Sequence, residues 1–410
     1  MKSKILENST KISFISLATI PLLKENANSI LIILCVVLTI TNIIKLKSFK
    51  PFKKEYWLLT TLFWIYLFHE IIFLDFNFGR ILRYLPFLIF PLLFYYRPAY
   101  INTKIKKTSI IVFQMSTLLQ CLLFLFLFIE DNSISQLFYV GQSNIPFFRE
   151  YVFNNYLFKI HPTYFSVYLL VSFTISLFTL LYEKNKKLTF TIPNIILTVF
   201  FIFLFLSRMV FVILFVTIIS AFINTMLKRN IKESTIIFVS SIILLVALTY
   251  PSRNIIKDRF DEIKTEINKP IVGSYYNSIN TRVAIIKCST ILLNQVPFFG
   301  FGDELQKELN DCYGRTNDSE FYKISTFNTH NYYLNLILYG GWIFFIVFLI
   351  YIVLVYKNIK YSTLGLFLLA QFLLINLTEN YFSRHYGVVL FTYFTSLIIF
   401  IHEKNEKLHT

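Results

Sequence analysis

Arginine and histidine side chains stand beside long apolar runs of this chain, where a charged group is costly and is a candidate for function. Arg208 directly follows one apolar run, in the short turn Ser207-Arg208, and His330 directly precedes another. A guanidinium binds phosphate oxygens bidentately and stays charged throughout. A neutral imidazole accepts a proton near neutral pH. These residue types predict a phosphate-binding group of arginines together with a histidine general base.

Further ionisable residues are predicted on the same, outward-facing side. They are Arg80, Arg83, His161, Arg282, Glu379, Arg384 and His385, with His69 and Glu70 near the outer end of an apolar run. Several arginines on one face favour an anion site over isolated anchoring roles, because each can hold phosphate oxygens.

Each of these residues also has a structural alternative. Arg208 could anchor its helix by placing its guanidinium at the membrane surface. His330 could make one hydrogen bond at a helix start, and His161 precedes Pro162, a typical helix N-terminus. Glu379 could orient His330 or hold a substrate, or it could be an exposed acid paired with Arg384.

The segment Thr329–Asn335 opens one apolar run, and Gly340-Gly341 follow about three turns later. We expect His330 and Asn331 to emerge where a long outer loop meets the bilayer. The two glycines predict close helix packing below them.

The composition predicts an all-α polytopic membrane protein. The chain of 410 residues is 56% hydrophobic and 15% charged, whereas soluble domains carry about 25% charged residues. About 20 apolar residues cross a bilayer core, which predicts about 12 transmembrane helices, or 11 if the short first run does not cross. The predicted spans are 12–23, 29–44, 56–74, 81–96, 108–129, 162–182, 189–206, 209–227, 234–250, 331–356, 361–378 and 385–402.

Three parts follow from this pattern. Residues 1–250 form an N-terminal transmembrane bundle of about nine helices, 251–329 a large periplasmic loop containing short helices, and 330–410 about three helices with a short cytoplasmic tail. In the loop, 255–267 has the spacing of an amphipathic surface helix. A second helix is predicted at 280–295, before the turn Val296–Gly302.

The net charge of +16 lies in the segments predicted to face the cytoplasm, as the positive-inside rule requires. These basic groups are therefore topology signals and contacts to membrane lipid, and no nucleic acid partner is expected. The sequence shows no cysteine–histidine metal spacing and no obvious acidic cluster on the outer face, so no metal or cofactor is expected. Cys288 and Cys312 share the large loop, where a disulfide or two free thiols are both possible.

The chain resembles the bacterial O-antigen ligase and O-antigen polymerase superfamily in layout and in four short segments. The ligase signature of the family is matched by His330-Asn331, followed by nine residues and then Gly341. This chain departs from the signature at its last position, where it has Phe344. Leu206-Ser207-Arg208 is similar to the family's Ser-Arg turn. Arg282, followed by Pro297-Phe298-Phe299-Gly300-Phe301-Gly302, resembles its loop element, and His161-Pro162-Thr163-Tyr164-Phe165 is similar to a segment of polymerase-type members.

The resemblance implies a membrane glycosyltransferase of the bacterial cytoplasmic (inner) membrane whose active site faces the periplasm. Its substrate would be an undecaprenyl-diphosphate-linked oligosaccharide, with chain-length regulator and flippase proteins as further partners. His330, Arg208 and Arg282 would be catalytic without a metal, His330 as base and the arginines as a pyrophosphate clamp. Arg80, Arg83, His161, Asn331 and Glu379 would bind substrate.

Four functions remain open on the sequence. Polymerisation of O-antigen or capsule repeat units is favoured by the imperfect ligase signature and by the His161–Phe165 segment. The alternatives are an O-antigen ligase that moves glycan to lipid A-core or protein, a non-enzymatic transporter of lipid-linked oligosaccharide, and a scaffold. A transporter should carry charges deep in many spans, whereas the ionisable residues here gather at one face.

Overall fold

The computed structural model describes residues 2–73, 76–139, 146–155, 160–183, 188–228, 278–317 and 326–401, with a few isolated residues between 235 and 265. The elements in these ranges are helices. The first half contains α1 (Lys2–Ser16), α2 (Glu25–Leu46), α3 (Lys54–Trp57), α4 (Thr61–Phe73), α5 (Phe78–Tyr84), α6 (Pro86–Tyr95), α7 (Thr103–Asp131), α8 (Phe147–Asn154), α9 (Pro162–Tyr182), α10 (Leu188–Phe205) and α11 (Arg208–Lys228). The second half contains α12 (Ser278–Leu293), α13 (Leu305–Asn317), α14 (Tyr332–Ile359), α15 (Thr363–Ile375) and α16 (His385–Phe400).

Six of the described helices are long and apolar enough to cross a membrane, which makes the chain a multi-pass membrane protein. They are α2, α7, α9, α10, α11 and α14. Helices α5 and α6 meet at a 42° bend and together have the length and composition of a broken span or a re-entrant loop. Pro86 begins α6 at this bend, where its missing N–H and its ring interrupt a continuous helix.

The predicted number of 12 spans is not confirmed. The predicted span 12–23 is wrong as a crossing helix: it covers the end of the polar helix α1 and a 3-10 helix, Leu17–Leu22, that contains Pro21. The predictions at 56–74, 361–378 and 385–402 correspond to shorter apolar helices. The prediction at 234–250 and the amphipathic helix at 255–267 fall outside the described ranges, apart from single residues.

Polar side chains join the central helices inside the bundle. Helix α9 is the most enclosed of the six candidate spans. The Gln371 amide on α15 donates from Nε2 to the hydroxyls of Thr174 on α9 (2.6 Å) and Thr217 on α11 (2.9 Å). Such bonds hold helices together where apolar contact with lipid gives no preference for association.

Helices α12 and α13 form a small unit with its own apolar core beside α14. The predicted helix at 280–295 is confirmed as α12. Cys288 and Cys312 are joined in a disulfide with their Cα atoms 5.7 Å apart, which settles the alternatives left open by the sequence. Leu338 of α14 belongs to the core of this unit, so the loop helices and the membrane helix are packed as one piece.

Candidate active site

His330, Glu379 and Arg282 come together at one end of the bundle, from three separate parts of the chain. The Nδ1 atom of His330 lies 3.6 Å from Glu379 Oε2, and Arg282 Nη2 lies 3.8 Å from Glu379 Oε1. The carboxylate is 12% exposed and stands between the two bases. Among the roles raised for Glu379, this geometry favours orientation of His330 over pairing with Arg384 as an exposed acid.

The two ring nitrogens of His330 have different surroundings. Nδ1 is buried and faces Glu379, and the side chain as a whole is 34% exposed. The exposed edge of the ring therefore carries Nε2. A carboxylate beside Nδ1 favours the proton on that nitrogen, which leaves the Nε2 lone pair free to accept a proton from a substrate.

Asparagines fix the backbone that carries His330 and Glu379. Asn331 caps α14: its side chain accepts from the N–H of Leu334 (3.0 Å) and donates to the carbonyl of Leu377 (3.0 Å). Across the site, Asn380 Nδ2 donates to the hydroxyl of Thr329 (3.0 Å). The side-chain amide of Asn331 is thus hydrogen-bonded within the protein, to the segment that precedes Glu379.

A third asparagine completes this connection. The N–H of Tyr332 donates to the carbonyl of Asn376 (2.9 Å), and Asn376 Oδ1 accepts from the N–H of Phe382 (3.2 Å). Asn376 is fully buried. Buried polar groups with satisfied hydrogen bonds specify one arrangement of the backbone, so the segments of His330 and Glu379 are held in a fixed relation.

The glycines of α14 pack closely against a turn of the loop. The sequence predicted close packing against another membrane helix instead. Gly341 interrupts the helix with φ 74° and ψ −179°. A Cβ there would overlap the carbonyl oxygen of Phe298, and a Cβ at Gly300 (φ 73°) would overlap the carbonyl of Tyr339. The N–H of Phe301 donates to the carbonyl of Leu338 (2.7 Å). The turn from Pro297 to Gly302 is therefore in backbone contact with α14 below His330.

Arg208 begins α11, immediately after the end of α10, as predicted for the Ser207-Arg208 turn. Leu206 has a left-handed backbone (φ 46°). Arg149 Nη1 donates to the carbonyls of Phe205 (2.8 Å) and Leu206 (3.2 Å), which are otherwise orphaned at a helix end. The side chain of Arg208 is exposed.

Arg149 also connects this turn with His161. Its Nη2 donates to Thr163 Oγ1 (3.1 Å), and His161 is the residue that caps α9, accepting from the N–H of Thr163 at Nδ1 (3.3 Å). Burial, assisted by the charge of Arg149, lowers the pKa of His161 to about 4. His161 is therefore neutral at physiological pH, and its helix-capping role is what the geometry supports directly.

Arg80 is paired within the protein. Its Nε lies 3.0 Å from Glu70 Oε1, its guanidinium forms two contacts with the Asp303 carboxylate, and Nη1 donates to the hydroxyl of Tyr339 (2.8 Å). Tyr339 in turn donates to Glu70 Oε1 (3.0 Å). Two carboxylates neutralise this guanidinium. Its contacts join α5 to α4 and to the segment that directly precedes α13.

Arg83 lies one turn further along α5. It lines a cavity of about 480 Å³ together with Arg384 and Asn380. Asn380 directly follows Glu379 in the chain. Among the described residues, no group of three or more histidine, cysteine or acidic side chains is arranged to hold a metal ion.

The structure thus brings several of the predicted site residues together. His330, Glu379 and Arg282 are in contact, Asn331 supports them, and Arg149 joins the first turn of the helix that His161 caps to the turn that precedes Arg208. Sequence reasoning missed Arg149, Asn376 and Asn380. Arg149 lies in the long segment between the predicted spans 108–129 and 162–182, and the length of that segment was the available signal.

Comparison with known families agrees with this assembly. Residues 193–349 match the O-antigen ligase family, a range that begins in α10, contains Arg208, Arg282 and His330, and ends in α14. No curated protein matches the chain. Members of the matched family are membrane glycosyltransferases and ligases. Over residues 193–349 this chain is similar to the O-antigen ligase family, which confirms the predicted resemblance to the O-antigen ligase and polymerase superfamily.

Proposed function

We propose that the chain polymerises the repeat units of a surface glycan by glycosyl transfer from an undecaprenyl-diphosphate-linked donor. The observation that carries this proposal is the contact of Glu379 with both His330 and Arg282. It combines, in one group, a histidine with a free Nε2 and a guanidinium that keeps most of its N–H donors for another anion.

The reaction is a direct displacement. A hydroxyl of the acceptor sugar attacks the anomeric carbon of the donor, and its proton passes to Nε2 of His330. The bond between that carbon and the diphosphate oxygen breaks, and the diphosphate leaves with the electron pair, so the anomeric configuration inverts. Glu379 stabilises the imidazolium that forms, as a buried carboxylate does beside other histidine bases.

Arg282 and Arg208 stabilise the negative charge that grows on the leaving diphosphate. Fixed positive groups aimed at developing charge make the largest contribution in many enzymes. The side chain of Arg282 is 46% exposed and the side chain of Arg208 is exposed, so both guanidiniums can reach a ligand. The departure from the ligase signature at Phe344 and the His161–Phe165 segment favour the polymerase over other family activities.

The proposal is tested in a strain that lacks the gene and carries it on a plasmid, with the surface glycan separated by size on a gel. His330→Gln and Arg282→Gln, present at normal levels, should leave a single repeat unit on the anchor. Arg315 is an exposed arginine of α13, and Arg315→Gln serves as the matched control with a normal ladder. A normal ladder in the His330→Gln strain would refute the mechanism.

The ligase activity is the second candidate, favoured by the family match itself and by the His330-Asn331 to Gly341 spacing. The same gel separates the two activities. A polymerase variant leaves single repeats attached at the surface, whereas a ligase variant accumulates long polymer on the lipid carrier and attaches none.

A further inference from the structure

A polar cavity of about 480 Å³ is lined by residues of the segments that carry His330 and Glu379 and has no part in the displacement described above. Its walls come from α5, the start of α13, α14 and the segment after Glu379. The polar side chains in these walls include Arg83, Gln306, Asn328, Asn335, Asn380 and Arg384. A volume of this order holds a sugar residue and falls within the range of about 300–1,000 Å³ typical of small-molecule sites.

The cavity carries an excess of positive charge. The third arginine in its wall, Arg80, is neutralised by Glu70 and Asp303. Arg83 and Arg384 are exposed, and within the part of the chain that the structure describes no carboxylate lies at ion-pair distance from either. Glu25 feels the charge of both arginines only at longer range.

The remaining polar groups suit hydroxyls. Asn328 uses Oδ1 to accept from the N–H of His330 (2.9 Å), so its Nδ2 donors remain for the cavity. Asn335 is partly exposed and lines the same space. Carboxamides donate and accept at once, which matches sugar hydroxyls, whereas paired guanidiniums match a carboxylate.

The cavity is connected to the reacting groups through the residues next to them in the chain. Asn328 lines it and holds the backbone of His330. Asn380 lines it and directly follows Glu379 in the chain. Arg384 lines it and bonds to Tyr164, on the first turn of the helix that His161 caps. A sugar held here therefore contacts the segments of backbone that carry His330 and Glu379.

We propose that this cavity binds an anionic, carboxylate-bearing sugar of the acceptor glycan, with Arg83 and Arg384 holding the carboxylate. The inference rests on the proposed function, in which His330 deprotonates an acceptor hydroxyl, and it narrows the substrate to an acidic glycan. Binding of a lipid diphosphate by the same two arginines is the competing possibility, and the experiment separates the two.

The test is ligand binding to the purified full-length protein in lipid nanodiscs, followed by saturation-transfer NMR. The probes are D-glucuronate, D-glucose and inorganic pyrophosphate. Glucuronate and glucose differ in the carboxylate at C6, so glucuronate should bind at least about tenfold more tightly. Arg83→Gln and Arg384→Gln should each weaken glucuronate about tenfold. Arg315→Gln is the matched control and should leave glucuronate binding unchanged.

Arg282→Gln distinguishes the two anion sites. It should weaken pyrophosphate and leave glucuronate unchanged, whereas Arg83→Gln should do the reverse. Equal binding of glucose and glucuronate, or glucuronate binding that ignores both cavity arginines, overturns the proposal. Loss of pyrophosphate binding in Arg83→Gln and Arg384→Gln also overturns it, because the cavity is then the diphosphate site.

The assay needs no turnover, so it is independent of the mechanism assigned to His330. If His330→Gln keeps glycan assembly while glucuronate binds as expected, the proposed mechanism fails and the cavity assignment stands. If His330→Gln abolishes assembly and glucuronate does not bind, the cavity assignment fails alone.

Discussion

Replacing Gly341 by alanine should separate the loop turn from α14. At φ 74° and ψ −179° the backbone is in a region that is essentially restricted to glycine. Forcing another residue into it costs about 1–3 kcal/mol. The added Cβ would also overlap the carbonyl oxygen of Phe298, and overpacking of this kind typically costs a further ~1–3 kcal/mol. Together these effects predict a loss of about 2–6 kcal/mol.

Two free cysteines make this loss measurable. Cys35 and Cys121 are fully buried and unpaired, and the other two cysteines are joined in the disulfide. A thiol-reactive fluorescent dye therefore reports unfolding of the purified protein on heating. We expect Gly341→Ala to lower Tm by at least about 4 °C.

Gly365 is the matched control, because it lies within α15 and a Cβ there would have its nearest neighbours, three side-chain carbons, at 3.3 Å. Alanine gains about 0.5–1 kcal/mol over glycine inside a helix, which offsets the crowding. We expect Gly365→Ala to change Tm by less than about 2 °C. A Tm of Gly341→Ala equal to that of the wild type would refute the contact between turn and helix.

Three further outcomes follow from the site. Glu379→Gln should slow glycan assembly at least about tenfold at equal protein level, because general-base catalysis contributes about 10²–10⁴-fold and His330 loses its carboxylate; a wild-type initial rate of polymer formation would contradict this. Burial lowers the pKa of His161 to about 4, below its value of about 6.5 in the unfolded chain. Its contribution to stability is then complete above pH 6.5 and is lost as the pH falls toward 4, so His161→Asn should show a smaller fall in Tm between pH 7 and pH 5 than the wild type. Replacing Cys288 and Cys312 together by serine should destabilise the unit of α12 and α13 by about 2–4 kcal/mol, seen as faster proteolysis of this region with the membrane helices intact.

Much of the fold was predictable where apolar runs are long and uninterrupted. The helices around Thr103–Asp131, Pro162–Tyr182 and Tyr332–Ile359 agree with the predicted spans within a few residues, except that α7 and α14 extend further. The span predicted at 12–23 was wrong because hydrophobicity does not distinguish a membrane-crossing helix from a short buried segment. Pro21 and the polar residues of α1 were the signals against it.

The site was predictable in its residue types and less so in its contacts. Sequence reasoning singled out His330, Arg282 and Glu379, and the structure brings these three side chains together. Nothing in the sequence indicated that Arg80 would pair with Asp303, since that ion pair joins positions more than 200 residues apart. The same holds for the glycines of α14, whose partner is a turn 40 residues earlier in the chain.

The shortness of α15 predicts the depth of the candidate site in the membrane. Its 13 residues rise only about 20 Å, whereas the hydrocarbon core of a bilayer is about 30 Å thick. Lys357 and Lys360 stand at its far end, on the side predicted to face the cytoplasm. If those lysines lie at the cytoplasmic headgroups, as predicted, we expect Glu379, just beyond the other end of α15, to lie at the level of the outer acyl chains and not above the headgroups. The lipid-linked sugar of the proposed function would then enter sideways from the membrane at this level, with its polyprenyl tail still dissolved in the bilayer.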